Sequence, residues 1–203
     1  MAKYRHDLPQ RRGGIFLTDG GLETTLIFQQ AIDLPHFAAF VLLDSPEGRE
    51  SLKKYYEAYL AIARERGVGF VLDSPTWRAN PDWGAKLGYD AAALRAVNVR
   101  SMAFLDGLRA LWEKPNLPCI ISGAIGPRGD GYKAGNMDAT EAETYHEAQI
   151  AAFVEGGANR FLDGGDAAHG MGTGQKFVVI VEAHAVGGPP VIGGELVARG
   201  LNV

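Results

Sequence analysis

The sequence has 203 residues, a formal net charge of −4 and 46% hydrophobic residues, values typical of one folded domain. This composition excludes a disordered chain, and its slightly acidic balance gives no electrostatic reason to expect nucleic acid as a partner. No stretch approaches the roughly 20 consecutive apolar residues that span a bilayer, so we expect no membrane partner. The polar N-terminus has no apolar segment typical of secretion signals, which predicts a cytoplasmic protein. The single cysteine, Cys119, excludes a disulfide framework within one chain.

Short apolar runs alternate with longer amphipathic stretches along the chain, a pattern that predicts strands and helices in turn. The predicted strands are residues 15–18, 37–43, 68–72 and 118–122, followed by weaker candidates at 160–162 and 189–192. The predicted helices run from the capping residue Ser45 to Gly67, over residues 91–111, and from a capping-box pattern at Thr140 to Gly156.

These units favour a parallel α/β fold of the (β/α)8 barrel type, in which loops at the carboxyl ends of the strands carry the chemistry. About five to six βα units are visible, so we expect an incomplete barrel forming a single domain over residues 1–203, with a divergent segment at 159–203. A doubly wound sheet is the alternative. The usual function of such a sheet, dinucleotide binding, is not supported, because no G-x-G-x-x-G fingerprint follows the first strand.

The segment Asp19-Gly20-Gly21 with Glu23 is the sharpest local feature, because it follows the first predicted strand directly. Paired glycines let the backbone approach a ligand closely, and the flanking carboxylates suit an ammonium group. A tight strand-to-helix turn with solvated acids explains the same residues without a ligand. The residues alone leave both interpretations open.

Three other segments are weaker candidates. Thr76 and Trp77 lie in residues 74–80, which either line a pocket or form a packed loop. The glycine-rich loop that begins at Gly123 offers backbone N–H groups to an anion but lacks the order of a phosphate-binding loop. Two aspartates and a histidine suggest a divalent metal site of low specificity, or simply turns: Asp163, Asp166 and His169.

Four short motifs carry a resemblance to a known family. Residues 16–24 resemble the first-strand motif of the homocysteine S-methyltransferase family. Residues 71–77 resemble its third-strand segment with a Thr-aromatic pair, and residues 121–127 its Gly-Ser-Ile-Gly-Pro segment of strand four. Residues 145–149 resemble the aromatic-His-x-x-Gln of the helix before strand five. The motifs follow one another in the family's order.

The resemblance implies zinc-dependent methyl transfer, a reaction of methionine biosynthesis. The acceptor is homocysteine or a related thiol or selenol, and the donor is a sulfonium such as S-methylmethionine or another methyl donor. Zinc in the family holds the acceptor sulfur as the thiolate, its nucleophilic form. The substrate-binding residues that the resemblance implies are Asp19, Gly20, Gly21, Glu23, Thr76, Trp77 and Gly123.

The chain departs from the family at the zinc site. The family's ligands are cysteines after strand six and near strand eight, whereas this sequence has no cysteine after Cys119, which matches no ligand position. We therefore expect a C-terminally truncated barrel that binds no zinc, is inactive alone and self-associates through exposed sheet edges. After residue 159 the family pattern is lost and resumes weakly at 180–192, which suggests a degenerate or frame-shifted segment. A non-catalytic amino-acid-binding protein derived from the barrel is the alternative.

Overall fold

Four parallel strands form one sheet in the computed structural model, which describes residues 3–129 and 138–163. The strands follow one another across the sheet in chain order: β1 (Phe16–Thr18), β2 (Gly69–Asp73), β3 (Cys119–Ile125) and β4 (Arg160–Asp163). Three long helices connect them in turn: α2 (Pro46–Arg66), α4 (Ala91–Trp112) and α5 (Ala139–Gly156).

This order identifies the barrel type. Crossover connections between neighbouring parallel strands are right-handed, so α2, α4 and α5 all lie on one face of the sheet. A doubly wound sheet reverses its strand order and carries helices on both faces. The prediction of an incomplete (β/α)8 barrel is therefore confirmed, and the predicted strand at 189–192 lies outside the described residues.

Shorter helices complete the described chain. They are a 3₁₀ helix at Pro9–Arg12, α1 at Leu22–Thr24, a π-helical turn at Thr25–Gln29, 3₁₀ helices at Pro35–Phe37 and Ala39–Asp44, and α3 at Pro81–Lys86. In the described part of the chain, no helix is both long and apolar enough to cross a membrane.

The strand predicted at residues 37–43 is wrong, because this segment forms 3₁₀ turns. A short buried apolar run has no periodicity that separates a strand from a helix. Here His36 and Phe37 have positive φ angles, which turn the chain away from an extended path. Phe40 is then fully buried and packs edge to face on Tyr89, with 5.0 Å between ring centroids. The strands predicted as third, fourth and fifth are consequently β2, β3 and β4.

The helix boundaries agree with their sequence signals in most cases. The Ser45 hydroxyl accepts a hydrogen bond from the backbone N–H of Gly48, and Gly67 ends α2 in the left-handed conformation. The last helix differs by two residues, since Asp138 rather than Thr140 is its N-cap and forms the capping box with Glu141.

The two faces of the sheet have different surroundings. Side chains of Leu72, Ile121 and Ile125 belong to the large core between the sheet and the helices. Val71 and Ile120 point to the opposite face, where Leu8 and Tyr4 of the N-terminal segment pack on them. Residues alternate between these faces along each strand, so every second strand residue faces the barrel interior.

Candidate functional site

Three loops meet at the carboxyl edge of the sheet, where parallel barrels carry their active sites. The loop after β1 begins with Asp19, the loop after β2 spans residues 74–80, and the loop after β3 begins with Gly126. The first two strand ends are linked directly, because the Thr18 hydroxyl donates to Asp73 Oδ2 over 3.2 Å. This edge is the candidate site.

Two tyrosines from α2 fix the turn after β1. The Tyr55 hydroxyl lies 2.8 Å from Asp19 Oδ2 and 3.0 Å from the carbonyl oxygen of Gly20. The Tyr59 hydroxyl donates to the same carbonyl over 2.8 Å. Gly21 has a φ of 70°, a left-handed conformation that favours glycine, and this turn leads straight into α1. The loop is therefore a rigid turn that presents one carboxyl group.

The Asp19 carboxyl is a perturbed acid. Burial raises its pKa, the negative charge of Asp73 raises it further, and the hydrogen bond from Tyr55 opposes both, with a resulting pKa of about 7. Near neutral pH this group therefore exchanges readily between its neutral and charged forms. An ammonium group bound beside it would favour the carboxylate.

Glu23 and Arg78 are a second group of charged side chains at this edge, and they interact electrostatically. Burial raises the pKa of the Glu23 carboxyl, and the positive charge of Arg78 opposes that shift. The Arg78 guanidinium contacts two indoles, with its carbon 4.0 Å from the ring centroid of Trp77 and 3.8 Å from that of Trp83. It also donates to the carbonyl oxygen of Gly129 over 3.2 Å. Two cation–π contacts and this hydrogen bond together restrain the Arg78 side chain.

Thr76 holds the loop after β2 against β3. Its hydroxyl donates to the carbonyl oxygen of Ala124 over 2.8 Å, and Ser74 Oγ lies 2.5 Å away. The backbone N–H of Ala124 in turn donates to Ser74 Oγ over 2.9 Å. Gln149 of α5 donates to the Thr76 carbonyl oxygen over 3.1 Å. The Thr76 hydroxyl is thus committed to protein contacts, which gives it a positioning role.

The two glycines near the end of β3 have different environments. Gly123 lies within β3, and a Cβ there would lie 2.5 Å from the Phe153 ring of α5. Gly123 therefore faces the helices and not the loops at the carboxyl edge. A Cβ at Gly126 would instead overlap the carbonyl oxygen of Trp77. Gly126 therefore allows the second and third loops to touch, and the sequence did not single it out for this.

The structure brings together most of the predicted residues. Asp19, Gly20, Gly21 and Glu23 lie on the first loop, and Thr76 and Trp77 lie on the second, at the same edge of the sheet.

Sequence reasoning missed two groups at this edge, Asp73 and Tyr55. The position of Asp73 at the end of an apolar strand was a usable signal, whereas Tyr55 depends on how α2 packs.

A metal ion in this protein would need a cluster of His, Cys, Asp or Glu side chains as ligands. No cluster of three or more His, Cys, Asp or Glu side chains capable of holding a metal occurs among residues 3–129 and 138–163. Cys119 is fully buried in the helix-facing core, and burial raises the pKa of its thiol to about 12. The described residues therefore do not fit the zinc of the family. Asp163 ends β4, while Asp166 and His169 lie outside the described residues.

Comparison with known sequences decides the family. The sequence model of the family described as homocysteine S-methyltransferase matches residues 16–162, more than half of the chain. The chain belongs to the homocysteine S-methyltransferase family. The matched range contains all three loops of the candidate site. A search of curated protein sequences gave no significant match.

Solved structures agree with this family at the level of the fold. The metallated form of the homocysteine methyltransferase MmuM from Escherichia coli is 20% identical, with a TM-score of 0.57 over 78% of this chain and 56% of that one. Its oxidized form is 18% identical, with a TM-score of 0.60 over 76% of this chain and 53% of that one. This chain thus spans little more than half the length of these methyltransferases.

Proposed function

We propose that this chain binds homocysteine, or a related thiol or selenol amino acid, at the carboxyl edge of β1 and β2. Methyl transfer to the acceptor sulfur is the reaction class to which such a site belongs. The observation that carries the proposal is Asp19, a half-buried carboxyl held by Tyr55 near a second acid, Asp73, on a segment that resembles the first-strand motif of the family.

The charges at this edge support an amino acid as the ligand. Asp19 and Asp73 together attract one ammonium group, and the mutual repulsion of two carboxylates is relieved when a cation lies near both. Gly20 and Gly21 carry no side chain that would block the approach of the ligand to this turn. Trp77 supplies an aromatic surface for the aliphatic part of the acceptor.

We further propose that zinc-thiolate chemistry does not take place on this chain alone. Zinc, where it is bound in the family, supplies the thiolate form of the acceptor. The single cysteine of the 203 residues lies in β3 with its side chain in the helix-facing core, so it does not reach the site. This supports the second candidate, an amino-acid-binding protein without turnover.

Calorimetry of the 203-residue chain with L-homocysteine tests acceptor binding. We expect a dissociation constant in the micromolar range, weakened about tenfold or more by Asp19→Asn because the ammonium loses its carboxylate partner. Asp33→Asn changes an exposed aspartate and is the matched control, with no expected effect. The absence of binding heat with homocysteine and with L-methionine would contradict the proposal.

A methyl-transfer assay separates the two candidates. The chain is incubated with S-methylmethionine and L-homocysteine, with and without added Zn²⁺, and methionine formation is followed. We expect little turnover in either condition. Robust zinc-stimulated turnover would overturn the proposal that this chain lacks the zinc chemistry, while leaving acceptor binding intact.

A further inference from the structure

A row of three polar side chains crosses the interior face of the sheet below the candidate site. The register pairs Asp73 of β2 with Ser122 of β3, and Ser122 with Arg160 of β4. Val71 and Ile120 lie on the interior face, and residues two apart in a strand share a face. Asp73, Ser122 and Arg160 therefore all point into the barrel.

Two members of this row have buried polar atoms without partners. Ser122 is fully buried, and its hydroxyl forms no hydrogen bond within the described residues. The Nε atom of Arg160 is also buried, and no acceptor for it occurs in the described part of the chain. A buried hydroxyl and a buried guanidinium N–H each cost free energy when their hydrogen bonds are unmade. Both atoms therefore point to a ligand that accepts hydrogen bonds.

The charges along the row have opposite signs. Burial lowers the pKa of Arg160, and the carboxylate of Asp73, which lies two strands away, opposes that shift. An arginine guanidinium stays protonated in proteins, so Arg160 is the cation of this row. Neighbouring strands are about 4.8 Å apart, which places the Cα atoms of Asp73 and Arg160 about 10 Å from each other. A zwitterion carries one charge of opposite sign for each of these two side chains.

We propose that Ser122 and Arg160 bind the carboxylate of the α-amino acid whose ammonium group lies at Asp19 and Asp73. This inference rests on the proposed function and adds the other half of the ligand's head group. The guanidinium offers the paired N–H donors that suit a carboxylate, and the Ser122 hydroxyl donates a further hydrogen bond. The four strands then recognise a zwitterion, with acids on β1 and β2 and donors on β3 and β4.

The test compares two ligands in calorimetry with the 203-residue chain. L-Homocysteine carries the carboxylate, and 3-aminopropane-1-thiol has the same thiol and ammonium without it. We expect the wild-type chain to bind homocysteine at least tenfold more tightly. Arg160→Met should reduce this ratio to near one by weakening homocysteine binding, with the affinity for the aminothiol within twofold of wild type.

Three further variants keep the result interpretable. Arg160→Lys retains the cation without the paired donors and should give an intermediate ratio, and Ser122→Ala should lower the ratio several-fold. These two variants decide the question if Arg160→Met does not fold. Arg95→Met removes an exposed arginine of α4 and is the control, with an unchanged ratio.

The outcomes separate this inference from the proposed function. If wild type binds both ligands equally, or if Arg160→Met weakens both to the same extent, the carboxylate assignment is wrong and acceptor binding stands. If wild type binds neither ligand, the proposed function fails and the inference fails with it.

Discussion

At the scale of single residues, Asp19 shows how an acid acquires its properties from its neighbours. The sequence places an acid after a strand, but the pKa of about 7 arises because the side chain is largely removed from water and Asp73 ends the adjacent strand. An aspartate in an unfolded chain has a pKa of about 3.9. The folded protein therefore holds a proton that the unfolded chain releases between about pH 4 and pH 7.

This difference predicts that Asp19→Asn stabilises the protein at neutral and higher pH. Because the folded pKa is raised, the free energy of unfolding of the wild type falls as pH increases from about 4 to 7, by at most about 1.4 kcal/mol per pH unit. Asparagine has no such cost and still accepts the hydrogen bond from Tyr55. We expect a gain of about 1–3 kcal/mol at pH 8, after a discount for partial exposure, and almost none at pH 4.

Urea denaturation at several pH values measures this effect, and Asp33→Asn serves as the exposed control. A stability difference that stays the same from pH 4 to pH 8 would mean that Asp19 has an ordinary pKa.

At the scale of elements, the candidate site depends on contact between two loops from neighbouring strands. Thr76 and Ser74 bind the backbone of Ala124, and Asn80 donates to the carbonyl oxygens of Gly126 and Pro127 at 3.4 and 3.2 Å. The loops after β2 and β3 therefore move as one unit. Gly126 is the point of closest approach, because the Trp77 carbonyl occupies the place of a Cβ.

Alanine at this position is predicted to separate the loops. We expect Gly126→Ala to lower the free energy of unfolding by about 2–3 kcal/mol, since backbone atoms cannot yield as a flexible side chain does. Gly129→Ala, three residues later, is the matched control, because no atom of the described residues lies within 4 Å of its Cβ position. Thermal unfolding compares the two, and an equal melting temperature for both variants would exclude a tight contact at Gly126.

At the scale of the whole molecule, the parallel sheet and its helices bury the one cysteine. Cys119 is inaccessible in β3, and its thiol has a pKa of about 12 because it is buried and lies near the charge of Glu113. A thiol of this kind reacts only when the sheet opens. Its labelling therefore reports the integrity of the whole described sheet.

We predict that a disulfide reagent labels native Cys119 at least about 100-fold more slowly than the urea-unfolded chain. The rate is followed by absorbance at fixed reagent concentration, and it should rise in parallel with the unfolded fraction as urea is added. Rapid labelling without denaturant would show that β3 is not covered by α4 and the N-terminal segment.

The sequence by itself predicted the elements with strong local signals. Ser45 and Gly67 carry the caps that begin and end α2, and the alternation of strands with amphipathic helices predicted a parallel barrel. The motif at Asp19-Gly20-Gly21 indicated the family, which is confirmed, and predicted the position of the candidate site. These features depend on backbone conformation and periodicity, which neighbouring residues determine.

Only the tertiary structure decided what depends on contacts between distant residues. The apolar run at 37–43 folds into 3₁₀ turns because it packs on α2 and α4. Asp73, Ser122 and Arg160 form one row because the parallel register aligns three strands that lie far apart in the chain. No local pattern encodes such a register, so the charges of this row become visible only when the strands are placed side by side.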